Sequence, residues 1–263
     1  MNAPNINDLF QTAHDEGLLS NASMQALNVL DIGAQIQAGL GIHVDDVMAS
    51  EVVLVTIMPD DSASIRFSGN AQAVRGGHNS VLDALMSTKQ SQNIFIHNRY
   101  LNSHVLYPYC PLPQAIRMDT QNYNPNLGTP LYDQTVVVLG TVLAKAQEFA
   151  DNGVPVRTIT LIITDGADAG SMKASAKTVA AIVRDMLAAE NHIVAAMGVD
   201  DGGQTDFKRV FKEMGIRDEW ILTPGNSDTE IRQAFQVFSQ SAVRVSQSAA
   251  NLNQGLYGGF GNP

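Results

Sequence analysis

Asp60, Ser62 and Ser64 stand at alternate positions in Pro59-Asp60-Asp61-Ser62-Ala63-Ser64, so one short stretch offers a carboxylate and two hydroxyls. Oxygen donors of this kind suit a hard divalent cation such as magnesium, which takes about six oxygens in near-octahedral order and keeps several as water. Two later stretches carry the same chemistry: Thr129 in Leu127-Gly128-Thr129-Pro130, and Asp165 at the end of Thr158-Ile159-Thr160-Leu161-Ile162-Ile163-Thr164-Asp165. Each of these residues also has a plainer use. Asp and Ser are common in turns and helix caps, and Thr129 ahead of Pro130 fits a cap with proline as the first helical residue.

The elements that must hold these side chains are legible. The run from Val52 to Met58 is apolar without alternation and rich in β-branched residues, as in a strand buried on both faces of a parallel sheet. Pro59 ends it, and the Asp60 stretch then lies at the carboxyl end of a central strand, where open α/β sheets place their ligands. A second strand over 158–164 delivers Asp165 to the same edge. From there strands at 193–199 and 220–222 alternate with helices at 173–190, 205–214 and 227–247, the signature of a parallel sheet with crossovers. Ser227-Asp228-Thr229-Glu230 has the form of a capping box for the last helix. Between the two ligand strands, the sequence predicts a helix over 79–88 kinked or initiated by Gly76 and Gly77. A two-stranded antiparallel edge follows, with His97 and His104 able to face each other across it. A long loop over 111–126 then leads to Thr129.

In order and spacing, Asp60, Ser62, Ser64, Thr129 and Asp165 resemble the metal-ion-dependent adhesion site of von Willebrand factor A (vWA) domains, over roughly residues 51–247. The resemblance implies a Rossmann-like α/β fold: a mostly parallel central sheet with one antiparallel edge strand and helices on both faces. It implies that Ser62, Ser64 and Thr129 bind the ion (Mg2+, or Mn2+ or Ca2+) directly while Asp60 and Asp165 act through water. That leaves a neutral protein shell and an ion free to take an Asp or Glu from a partner protein. Ala63 and Ile65 stand where glycine and methionine are frequent, and neither change removes an oxygen ligand. Asp61 falls at a variable position and is expected to be exposed. Asp200 and Asp201 belong either to the same rim or to a flexible loop ahead of a Thr205 cap.

Around that domain, residues 1–50 read as an N-terminal helical extension capped at Ser20 or Asn21, with Met24, Leu27, Val29, Leu30, Ile32 and Ile36 on one face and Gly39 and Gly41 as its stop. Residues 248–263 form a Gly- and Asn-rich tail. His43, Asp45 and Asp46 read as a solvated turn.

Composition narrows the function. With 26 acidic and 16 basic residues the net charge is -10 and the pI about 4.9, unsuited to neutralising the phosphates of nucleic acid or acidic lipid. Cys110 is the single cysteine and excludes an internal disulfide framework. The first residues lack the order of a signal peptide, and no stretch approaches the ~20 apolar residues of a membrane span. The expectation is a cytoplasmic, metal-dependent protein-binding module similar to bacterial intracellular vWA proteins, including those near tellurium-resistance systems. Its partner would be an ATPase or a kinase and phosphatase system. The alternative is a Mg-dependent hydrolase or phosphotransferase using Asp60 and Asp165, against which no catalytic constellation and no neighbouring Lys or Arg appears in the ligand motifs.

Overall fold

The computed structural model describes residues 5–28, 32–247 and 259–260. Three helices open the chain: α1 (Ile6–Asp15), α2 (Asn21–Leu27) and α3 (Ile32–Leu40). The Ser20 side chain caps α2, as the sequence predicts, by accepting the Ser23 amide. The single helix expected through Ile36 is instead two, α2 ending at Leu27 and α3 starting at Ile32. Val29 and Leu30 lie outside the described residues. Gly41, not Gly39, is the stop: its φ of +60° is left-handed, and a Cβ there would lie 2.1 Å from the Tyr109 carbonyl oxygen.

β1 (Val52–Met58) follows with all seven residues buried. After it come the short α4 (Ala63–Phe67), then α5 (Ala71–Met86), β2 (Ile94–Arg99) and β3 (Val105–Pro111). Next are α6 (Leu131–Asp151), β4 (Val156–Thr164), α7 (Ala176–Ala188), β5 (His192–Gly198), α8 (Phe207–Glu213), β6 (Ile221–Leu222) and α9 (Asp228–Gln247). The six strands form one sheet in the order β3-β2-β1-β4-β5-β6, parallel throughout except for the antiparallel β2–β3 edge. The chain builds outward from β1 to one side, then returns to place β4 on its other side. That reversal is the switch point at which open sheets leave a crevice beyond the strand ends. Helices cover both faces: α9 packs against β1 and β4 and on α5, while α6 contacts the same strands and carries α1, α3 and α7.

Several local expectations change. Gly76 and Gly77 sit inside α5 rather than starting it. A Cβ on Gly77 would meet the Phe235 ring of α9 at 2.0 Å, so the missing side chain is what lets the two helices approach. Gly77→Ala should therefore lower stability by about 1–3 kcal/mol, the usual cost of overpacking, read as a drop in the urea midpoint with an unchanged slope. His97 and His104 do not face each other. His97 is buried with Nδ1 2.8 Å from the Tyr107 carbonyl oxygen, whereas His104 is exposed against the Tyr100 ring. α8 is capped by Asp206 rather than Thr205, and α6 has Pro130 as its cap position, which leaves Thr129 outside the helix. The Ser227–Glu230 pair forms as expected at the start of α9.

Cys110 is a buried packing residue whose thiol burial pushes up to about 11. Among the described residues no helix is long and apolar enough to cross a membrane. Of the tail, Gly259 and Phe260 are described: Phe260 packs its ring on Trp220 and donates its amide to the Glu219 carbonyl.

Candidate metal centre

β1 and β4 pair in register up to Met58 opposite Ile162, so continuing both chains by two residues brings Asp60 opposite Thr164. Asp60 uses that position fully. Its Oδ1 accepts the Ser62 amide at 2.7 Å, an Asx-type turn that folds the chain back over the strand end. Its Oδ2 accepts the Thr164 hydroxyl at 2.8 Å and the Asp165 amide at 3.4 Å. One carboxylate thus ties together the ends of two central strands.

The hydroxyls lie just beyond. Ser62 Oγ and Ser64 Oγ are 2.8 Å apart, and both donate to Asp165 Oδ1, at 3.4 Å and 2.6 Å. Asp60, Ser62 and Asp165 are buried, while Ser64 is exposed, so the cluster has a closed floor and an open side. Thr129 joins through the backbone. Its neighbour Leu127 bridges to Ser62, and Thr129 itself bridges to Ala169, just past Asp165. The Thr129 segment is therefore laced between the other two, although its hydroxyl makes no hydrogen bond with the four residues already connected.

Asp61, expected to be exposed, is buried instead: its Oδ1 accepts both the backbone and side-chain N–H groups of Asn102, at 2.9 Å and 2.8 Å. It fastens the β2–β3 turn to the site. Asp201 lies near enough to raise Asp165, yet its own oxygens accept from Thr205 and Gln204. Sequence reasoning missed Thr164, Asn102 and Tyr123, whose hydroxyl donates to the Asp60 carbonyl. Thr164 was findable by counting along paired strands. Tyr123 and Asn102 arrive from loops, whose paths no periodicity encodes.

Burial is the main cause that pushes the Asp60 carboxyl up to about 6, and repulsion from Asp165 adds to it against the bonds from Ser62 and Thr164. Asp165 is raised as well, first by burial and then by Asp201, against the serine hydroxyls. The donor set fits a hard cation: a hydroxyl that gives its proton to Asp165 keeps lone pairs for an ion. Among the described residues, no group of three or more His, Cys, Asp or Glu is arranged to hold a metal. An ion here would rest on hydroxyls and water as much as on carboxylates.

No protein-family model matches the chain, and no curated protein is similar to it in sequence. Solved structures resemble it in fold. The vWF domain of the type V pili tip protein Mfa5 from Porphyromonas gingivalis superposes with a TM-score of 0.54 at 11% identity, over 77% of this chain and 98% of that one. The pilus adhesin SpaC from Lactobacillus rhamnosus GG, in its open conformation, gives 0.52 at 14% identity, over 74% of this chain and 30% of that chain. Proximal thread matrix protein 1 from the mussel byssus gives 0.52 at 16% identity, over 73% and 46%. The chain spans between about a third and a half of these last two. At such identities the likeness is one of fold, and the fold of this chain is that of von Willebrand factor A domains.

Proposed function

We propose that residues 51–247 are a vWA-type interaction domain that holds one divalent ion of the magnesium class at Asp60, Ser62, Ser64, Thr129 and Asp165, and that through this ion it binds a carboxylate of a partner protein. The observation that carries the reading is the juxtaposition of two raised carboxylates with two hydroxyls at the open end of the switch point. Anions brought together and partly desolvated are unfavourable unless a cation joins them. With serine and threonine as the nearest donors the ion's charge is left largely uncancelled. A partner's Asp or Glu supplies the missing anion. The ATPase or kinase and phosphatase systems named by the resemblance fit this role as proteins able to present such a side chain. Residues 1–50 and 248–263 are extensions of that domain, the first adding helices against α6 and α7.

The test is direct ion binding by the isolated chain, followed by Mn2+ electron paramagnetic resonance and calorimetry. Binding should be weak, because the shell is incomplete without a partner. The Ser62→Ala, Ser64→Ala double variant should lose it by about tenfold or more, the order usual for disturbing a metal's surroundings, whereas Asp201→Ala should change it little. Tight stoichiometric binding that survives the double variant would refute the assignment.

A further inference from the structure

The three segments that meet at the site share a second property. Seven large apolar side chains are exposed among the described residues, and three of them stand on these segments: Phe67 just after Ser64, Leu127 just before Thr129, and Met172 on the loop after Asp165, at 78%, 55% and 91% exposure. The backbone that carries them is fastened. Leu127 exchanges hydrogen bonds with the Ser62 turn, its amide donating to the Asp61 carbonyl at 3.2 Å and its carbonyl accepting the Ala63 amide at 3.0 Å. Asp133 of α6 accepts the amides of Met172 at 2.8 Å, Lys173 at 3.1 Å and Ala174 at 2.6 Å, which pins the Met172 loop. The Arg66 guanidinium lies 5.0 Å from the centre of the Phe67 ring and adds a positive charge on the same segment. Exposed apolar side chains on the ordered segments that form a polar centre can exclude water from a charged contact made there and strengthen it.

From this, and resting on the ion reading above, we propose that the face of the site fits a protein segment in which an aspartate or glutamate is flanked by apolar side chains. The carboxylate reaches the ion, and its neighbours cover Phe67, Leu127 and Met172. Charge complementarity selects the occupant: the ion requires an anion, Arg66 favours one, and the surrounding side chains favour hydrocarbon beside it. A carboxylate in a polar setting would leave the three side chains in water and gain only the ionic contact.

The test uses the full chain and immobilised heptapeptides of three kinds: a central glutamate between leucines, a central glutamate between serines, and a central glutamine between leucines. In Mn2+ the leucine-flanked glutamate peptide should be retained about tenfold more than the serine-flanked one, the glutamine peptide should not be retained, and chelation should release everything. A Phe67→Ser, Met172→Ser double variant should lose the preference between the two glutamate peptides while its Mn2+ signal stays unchanged. Equal retention of both glutamate peptides, retention of neither, or a preference that survives the double variant, each with Mn2+ binding intact, overturns the apolar partner surface and leaves the ion site standing. Absence of Mn2+ binding in the native chain overturns the ion reading and this inference with it.

Discussion

Without divalent ions at pH 7, Asp60→Asn should be more stable than the native protein, and it should no longer respond to added Mg2+ or Mn2+. The sign follows from linkage. A carboxyl whose pKa is raised on folding, here to about 6, favours the folded state below its ordinary value near 4 and loses that contribution as pH rises through 6. At neutral pH the buried charge is therefore a cost, on the order of 3 kcal/mol for a shift of about two pH units. The amide keeps the two shortest bonds, since its oxygen can accept the Ser62 amide while its nitrogen donates to Thr164 Oγ1, whose hydroxyl then donates to the Gly166 carbonyl oxygen 3.0 Å away; only the long 3.4 Å contact from the Asp165 amide loses its acceptor. In a domain of this size such a gain raises the melting temperature by roughly 5–10 °C. The native chain should recover part of that difference when ions are added, because the ion takes over the role of the missing charge. Calorimetric melts of both proteins, with and without Mn2+ and at pH 5 and 7, decide the matter. A variant less stable than native at pH 7, or equal shifts by Mn2+ in both, contradicts the reading of Asp60.

The second large effect is acid unfolding driven by three histidines. His78, His97 and His192 are buried, and burial lowers them from about 6.5 to about 4, about 3 and about 4. Hydrogen bonds hold each in place: His78 Nε2 with the Tyr107 hydroxyl, His97 Nδ1 with the Tyr107 carbonyl, and His192 Nδ1 with the Thr158 hydroxyl. A depressed histidine contributes fully above the unfolded value of about 6.5, and that contribution is lost as pH falls toward the folded value. Each proton taken up only by the unfolded chain removes about 1.4 kcal/mol per pH unit. Three together remove about 4 kcal/mol per unit between pH 6 and 4, Asp60 with its opposite sign returns about 1.4 of it, and the net of about 3 kcal/mol per unit is enough to consume the lower part of a typical domain stability of roughly 5–15 kcal/mol within that window. Urea titrations at half-unit steps should show this net slope, reduced by about half in His192→Gln. Stability that stays flat from pH 7 to pH 5 would mean that the histidines are charged or solvated in the folded protein.

What the sequence by itself determined is the sheet and the turn that leaves it. The run from Val52 to Met58 reads as a strand buried on both faces, and its limits coincide with β1. The alternation after Arg157 points to a parallel sheet, and the pair of strands read over 93–110, joined by a short polar turn, points to its antiparallel edge. These signals are local: each rests on the period of a few consecutive side chains, which the chain carries wherever it folds. Asp60, Ser62 and Ser64 were legible for the same reason, as they share one turn. Helix ends were less so. Gly77 looked like a breaker of α5, because a glycine's propensity is visible in the sequence and the Phe235 ring it makes room for is not.

Only the tertiary structure decided what stands around the ligands. Asp61 is buried because Asn102, distant in sequence, turns toward it. Asp60 is raised first because the assembled sheet ends and loops bury it, and then because β4, settled beside β1, brings Asp165 near it. Phe67, Leu127 and Met172 fall on segments that pair through Ser62, Thr129 and Ala169. Each of these depends on which distant residue comes close, and proximity across the fold is set by the packing of whole elements. A carboxylate's type is written in the chain, but its charge state and its neighbours follow from the low-dielectric surroundings that only the assembled sheet and loops provide.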